Sequence, residues 1–182
     1  VVAVTISQLG SVAEERELFD VARQSYLEAL EQAKALANID AISINLGKLS
    51  RLSLKVGDVE GALQFASECL ESNEHSGNEE GSAQGLLLMG RALLTQGDLA
   101  RALDYLGQAH ERYSDIDHMN GRLQSLLELA KLYAQEGDDR LAEQAIEEAT
   151  LMVRADPSPY LVEALEQAEA VVAVARRRLD TV

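Results

Sequence analysis

The stretch "LLTQGDLARAL", Leu93 to Leu103, decides the fold. Its Gly97-Asp98 pair recurs as Gly57-Asp58 in "SLKVGDVEGAL" and as Gly137-Asp138 in "YAQEGDDRLAE", forty residues to either side. A helix commonly ends on a residue in the left-handed conformation, which glycine adopts without a Cβ penalty. Asp is among the best N-caps, because its carboxylate accepts bonds from the free amides of the next helix. Each pair therefore predicts a stop and a start within a two-residue turn.

Sliding the sequence by forty residues aligns more than these turns. Ala22, Ala62, Ala102 and Ala142 share one column, and Ala29, Cys69, Ala109 and Ala149 share another seven residues later. Upstream, Leu9-Gly10, Leu49-Ser50, Met89-Gly90 and Leu129-Ala130 align as large-small pairs, with Ile6, Leu46, Leu86 and Leu126 three residues earlier. Self-similarity at a fixed period marks a repeat architecture. Each unit reads as two amphipathic helices. Leu126, Leu129 and Tyr133 stripe the first, and Ala142, Ile146 and Ala149 the second. The small columns let neighbouring helix backbones approach closely.

The spacing predicts helices at about 1–16, 19–36, 39–56, 59–73, 79–96, 99–114, 119–136 and 139–154. The stretches "NEHSGNEE" (73–80) and "SDIDHMN" (114–120) read as longer polar connections. After "DPSPY", Ser158 suits an N-cap and Pro159 a first helical position, opening a last helix at about 159–179. Its stripe is Leu161, Leu165, Ala168, Val172, Ala175 and Leu179, as expected of a helix that covers a solenoid's apolar edge. Glu17-Leu18 stands where the other units carry Gly-Asp, as atypical end repeats do.

Composition agrees. The 182 residues are rich in helix formers, with 2 Pro and no Trp, and no alternating β-branched runs. Sixteen basic against 31 acidic residues give a net charge of −15. That excludes broad binding to nucleic acid phosphates and argues against an anionic membrane surface. No segment is apolar and long enough to span a bilayer. The single Cys69 permits no internal disulfide, so a reducing, cytoplasmic compartment is expected. The chain opens at Val1 inside a helical pattern and is expected to be a fragment of a longer protein. An open first repeat would expose apolar surface and offer an edge for a homodimer.

The columns resemble the tetratricopeptide repeat. Its signature is carried by Leu86, Met89-Gly90, Leu93, Gly97-Asp98, Ala102, Leu106 and Ala109, and by Leu126, Leu129-Ala130, Tyr133, Gly137-Asp138, Ala142, Ile146 and Ala149. The period of 40 instead of 34 is similar to the subgroup in kinesin light chains and in bacterial regulators of the MalT and Rap kind. Most signature aromatics are aliphatic here. HEAT repeats also run near forty residues but lack the Gly-Asp turn. The resemblance implies an all-α, right-handed superhelix: repeats at 1–38, 39–78, 79–118 and 119–157, then a capping helix at 158–180.

No catalytic constellation stands out, and no cofactor or metal is expected. "HERYSDIDH" (110–118) gathers two His and several acids, but its spacing matches no strong ligand motif, and a solvated loop is preferred. Cys69 fills an Ala column and reads as a packing residue. Arg176-Arg177-Arg178 complements the dipole of the last helix, and the ending "DTV" receives little weight.

In the resembled family, first-helix residues beside the packing stripe line a concave groove. That implies one column of Ser11, Arg51, Arg91 and Lys131, with Lys48 and Lys55 near Arg51, and a second of Ser7, Gly47, Leu87 and Leu127, with Gln84 and Gln124 one turn earlier. Arg presents a planar fork to carboxylates. The expected ligand is a protein segment bearing Asp or Glu and an apolar residue. Glu128 and Lys131, at i and i+3, have the competing option of pairing with each other. The Asn of the family's carboxylate clamp is Arg or Lys here, so recognition of a chaperone C-terminus is not implied. The expected function is a binding scaffold without chemistry of its own. The alternative is a sensory or regulatory domain of a larger bacterial signalling protein or transcription regulator.

Overall fold

A computed structural model describes the backbone of residues 2–155 and 157–179, and the side chains of 5–174 apart from residue 156. The chain start at Val1, the side chains of Ala175, Arg176–Arg178 and Leu179, and the ending 180–182 lie outside the described residues. Among those described there are nine helices: α1 (Val2–Glu15), α2 (Phe19–Ala35), α3 (Ile39–Lys55), α4 (Val59–Ser76), α5 (Glu79–Gln96), α6 (Leu99–Asp115), α7 (Met119–Glu136), α8 (Asp139–Ala155) and α9 (Pro159–Leu179). Consecutive helices pack as antiparallel pairs.

The turns are more regular than the Gly-Asp pairs announce. Residues with positive φ stand at Glu17, Ala37, Gly57, Gly77, Gly97, Asp117 and Gly137, one every twenty positions. At each, the amide of the following residue reaches back five positions. Asp58 donates to the Ser53 carbonyl at 2.8 Å, Asn78 to Asn73 at 3.0 Å, and His118 to Tyr113 at 2.9 Å. This bond, with that of Gly57 to Leu54, is the Schellman closure of a helix C-terminus. The same residue then caps the next helix: the Asp58 carboxylate accepts the Gly61 amide at 2.9 Å, and the Asn78 side chain accepts that of Gly81 at 3.1 Å. Leu18 alone of these seven has no side-chain cap.

Two expectations are therefore corrected. α4 continues to Ser76, not 73, and "NEHSGNEE" and "SDIDHMN" are not longer connections. Asn73 looks like a loop residue but is fully buried. Its amide donates to the Cys69 carbonyl at 2.7 Å, and its oxygen accepts from Ser43 at 2.8 Å. His118 acts as an N-cap, its Nδ1 accepting the Gly121 amide at 3.0 Å, which requires that nitrogen to be unprotonated.

The expected columns form the core. Leu46, Leu86 and Leu126 are buried, as are all four alanines of the first small column and all four members of the second. At Gly85 the backbones of two repeats come close, since an added Cβ would lie 2.6 Å from the Leu70 Cα. Accordingly α4 and α5 make the most extensive helix contact, whereas α9 carries Leu165 in the same column and sits more loosely on α8. The stripe Leu161, Leu165, Ala168 and Val172 is buried as expected. α9 begins forty residues after α7 and packs chiefly on it, so it continues the row of first helices.

Neighbouring first helices touch (α3 on α5, α5 on α7, α7 on α9), while no two second helices do so among the described residues. The stack therefore curves with the first helices inside. On the outer face only long side chains span repeats, such as Lys34 to Glu68 at 2.6 Å and Arg112 to Glu74 at 3.3 Å.

A Cβ at Gly57 would meet nothing within 4 Å, so Gly57→Ala isolates the backbone cost of its φ of +82°. Denaturant unfolding is expected to show a loss of about 1 kcal/mol for Gly57→Ala, and a gain of up to about 1 kcal/mol for Ala37→Gly.

Candidate functional site

The inner wall is built from α3, α5, α7 and α9. Three linked cavities run along it. The first, about 240 Å³, is lined by Asp40, Ser43, Ile44, Asn78, Glu80, Gly81 and Gln84. The second, about 200 Å³, shares Glu80 and Gln84 with it and adds Arg51, Arg91, His118 and Gln124. The third, about 180 Å³, shares Arg91 and Gln124 and adds Lys131, Tyr160, Glu163 and Gln167. Of the nine residues expected in a groove, Arg51, Gln84, Leu87, Arg91, Gln124, Leu127 and Lys131 line these cavities. Lys48 and Lys55 do not.

The cations are not equivalent. Lys48 ties α3 to α1, donating to the Ser7 hydroxyl at 2.9 Å and the Ser11 hydroxyl at 3.0 Å, with its ammonium 5.2 Å from the Tyr26 ring centroid. Burial, with the positive charge of Arg51 beside it, pushes its pKa down, while Glu14 opposes the shift. Lys55 lies 3.9 Å from Glu14 and over the Phe19 ring. Arg91 crosses to the next repeat: Nε donates to Glu128 at 3.1 Å and Nη2 to the Gln124 oxygen at 3.3 Å. Lys131 donates to that same Glu128 oxygen at 3.2 Å. With side chains 12–24% exposed, this triad is less screened than the pairs of the outer face. Arg51 is exposed, and no hydrogen bond or ion pair engages it among the described residues.

Leu87 and Leu127 are each only 3% exposed and belong to the core, so they offer no apolar floor. The reason is the contact between first helices, which places that column at the seam. At Gly47, an added Cβ would lie 2.8 Å from the Gln84 amide. The apolar side chain that opens on the first cavity is Ile44, 51% exposed, and Tyr160 stands 58% exposed over the third. Ile44 shares the column of Gln84 and Gln124, forty residues earlier, and that spacing is the signal which could have found it. Tyr160 falls in the last predicted helix but off its apolar stripe of Leu161, Leu165, Ala168 and Val172, so the period did not single it out.

The polar stretch at 110–118 divides its histidines between two jobs. His110 Nδ1 sits 3.3 Å from the Arg122 carbonyl and 3.2 Å from the Ser125 hydroxyl, and His118 caps α7 with its Nε2 3.3 Å from Glu80. Among the described residues no group of three or more His, Cys, Asp or Glu converges in a way that could hold a metal ion. Cys69 is buried against Asn73, and burial pushes its thiol up to about 12. Such a thiol is not a nucleophile near neutrality.

Solved structures share this arrangement of helices. The chain superposes on BtubC (BKLC) from P. vanneervenii with a TM-score of 0.73 at 22% identity, covering 94% of this chain and 77% of that one. The fold is that of tetratricopeptide-like repeats. The "nearly identical TPR-like repeats" of a Podospora anserina kinesin light chain match with a TM-score of 0.66 at 17% identity, covering 97% and 90% of the two chains. Aspartyl phosphate phosphatase F from Bacillus subtilis matches at 0.77 and 12% identity over 98% of this chain, but only 49% of its own length. No family model matches the sequence, and no curated protein matches it. Among the described residues of this tetratricopeptide-like chain, no helix is long and apolar enough to cross a membrane.

Two buried acids of the core, away from these cavities, set an alkaline limit on stability. Cys69 moves from 9.0 to about 12, mainly by burial. Tyr26 moves from 10.0 to about 12, mainly by burial and with a contribution from Glu14, to which its hydroxyl donates at 2.8 Å. Both folded values are raised, so the native state holds protons that the unfolded chain releases. The contribution of these two groups to stability is therefore fully present below pH 9.0 and is lost between pH 9.0 and about 12. Urea unfolding across that range should show the decline, and Ellman's reagent at pH 8 should label Cys69 only after unfolding.

Proposed function

We propose that the inner wall binds a segment of a protein partner carrying an acidic side chain and an apolar one, and performs no chemistry of its own. The observation that carries this reading is Arg51: an exposed guanidinium without an ion pair among the described residues, on a cavity it shares with Arg91, in a chain of net charge −15. A carboxylate there would accept the bidentate hydrogen bonds for which Arg is suited. Ile44, on the adjoining cavity, supplies the apolar contact in place of Leu87 and Leu127. Gln84 and Gln124, which line the cavities, add donors and acceptors for a backbone. Arg91 and Lys131 act through their shared Glu128, holding the wall in shape. A single buried thiol suits a reducing compartment such as the cytoplasm.

Peptides selected by display on the immobilised protein test this. The expected winners carry Asp or Glu, and Arg51→Glu weakens them at least about tenfold, the scale of one charged hydrogen bond. The melting temperature should stay unchanged, because Arg51 is exposed. Arg91→Glu is a poorer probe, since it would set a carboxylate beside Glu128. Winners that bind Arg51→Glu as tightly as the parent would refute the proposal.

A further inference from the structure

The basic column of the inner wall has an acidic counterpart at the other end of the same helices. Residues at i, i+4, i+7 and i+11 share one helix face. On α3 they are Asp40, Ile44, Gly47 and Arg51, and on α5 they are Glu80, Gln84, Leu87 and Arg91. Both stripes begin with an acid and end with a base. The stripe of α7 ends on Lys131 but begins with Asn120, so the acid end is confined to the two helices beside Arg51.

The cavities separate the two ends. Asp40, Glu80 and Ile44 line the first cavity, which has no basic side chain in its wall. Glu80 continues into the second cavity, where it meets the zone of Arg51 and Arg91. Both acids are exposed, and no Lys or Arg pairs with either among the described residues. Asp40 accepts one long bond, 3.4 Å, from the Asn78 amide. His118 Nε2 lies 3.3 Å from Glu80. Because Nδ1 of that ring accepts the Gly121 amide, the ring proton sits on Nε2 and the ring is neutral, which leaves Glu80 its full negative charge.

Both acids stand in the first turn of a helix, where they complement its dipole. Glu79 does the same for α5 but lines none of the three cavities, so the two roles can be separated. The net charge of −15 decides what suits such a wall. A segment bearing only acids would approach Arg51 against the field of the whole chain, whereas one bearing a base as well is neutral overall and meets Asp40 and Glu80 favourably. The helix sets the spacing. Asp40 and Arg51, like Glu80 and Arg91, are eleven residues apart. That is about 16 Å along the axis, a span that an extended segment covers in about five residues.

We propose that the inner wall selects a segment of a partner protein that carries both charges. Its Lys or Arg enters the first cavity with Asp40 and Glu80, its apolar side chain lies against Ile44, and its Asp or Glu, about five residues away in an extended chain, reaches Arg51. This rests on the reading of the inner wall as a binding groove, and adds to it a second charge and a fixed direction for the segment.

Display selection on the immobilised protein, followed by fluorescence anisotropy of the winning peptides, tests this. The winners should carry a Lys or Arg about five positions from the acid. Replacing that base by Glu should weaken binding at least about fivefold, as when an exposed attraction becomes a repulsion. Asp40→Lys combined with Glu80→Lys should weaken the original peptide by a similar factor and restore the Glu-substituted one, a reversal that lost helix stability cannot produce. Glu79→Lys should leave both affinities unchanged. The peptide substitution needs no altered protein, so it decides the matter should the double variant not fold. Winners that Arg51→Glu weakens but that carry no base, or whose base becomes Glu without loss, overturn this proposal and leave the earlier one standing. Winners indifferent to Arg51→Glu overturn both.

Discussion

One residue serves two helices at six of the seven left-handed turns among the described residues. The amide of Asp58 closes α3 by bonding the Ser53 carbonyl, and its carboxylate opens α4 by accepting the Gly61 amide. The same double duty falls to Asn38, Asn78, Asp98, His118 and Asp138. A turn built this way has no slack. It fixes the angular phase of each helix against the one before, and the interval of twenty residues repeats that phase. Because the phase repeats, the small columns meet their neighbours at the same height in each unit, and the stack can grow without a new solution at each interface.

The inner wall follows from that constraint. First helices close enough to touch turn the column of Leu87 and Leu127 into a buried seam. The columns on either side of the seam are left to line cavities, and these hold Ile44, Gln84 and Gln124 on one side and Arg51, Arg91 and Lys131 on the other. Glu128 then draws two of the three cations into one triad that joins α5 to α7. Arg51 has no such partner. The difference between a structural cation and an available one therefore rests on a single acid, present in the fourth unit, whose counterpart in the third is Leu88.

Much of the fold was legible because Gly-Asp encodes a φ preference and a cap at the same place. The turn at Asp117-His118 was harder, since its left-handed residue is not a glycine and the flanking polar residues read as loop. Asn73 misled for a similar reason: its buried oxygen is satisfied by Ser43 of α3, thirty residues away, which sequence spacing does not bring to it. At the site, the forty-residue period showed which residues share a column. It did not show depth. Leu87 and Leu127 differ from Ile44 by their distance from a helix seam, and Lys48 differs from Arg51 by the hydroxyls of Ser7 and Ser11, which lie across a repeat boundary.

Amide hydrogen exchange in the native protein tests the central claim most directly. The amides of Asn38, Asp58, Asn78, Asp98, His118 and Asp138 lie in short turns at the ends of the stack, where ordinary loop amides exchange quickly. If each turn closes one helix while opening the next, these six exchange slowly, protected like the helix interiors beside them. If they exchange at the rate of unprotected loop amides, the turns do not hold the phase of the helices, and the account of the stack fails with them.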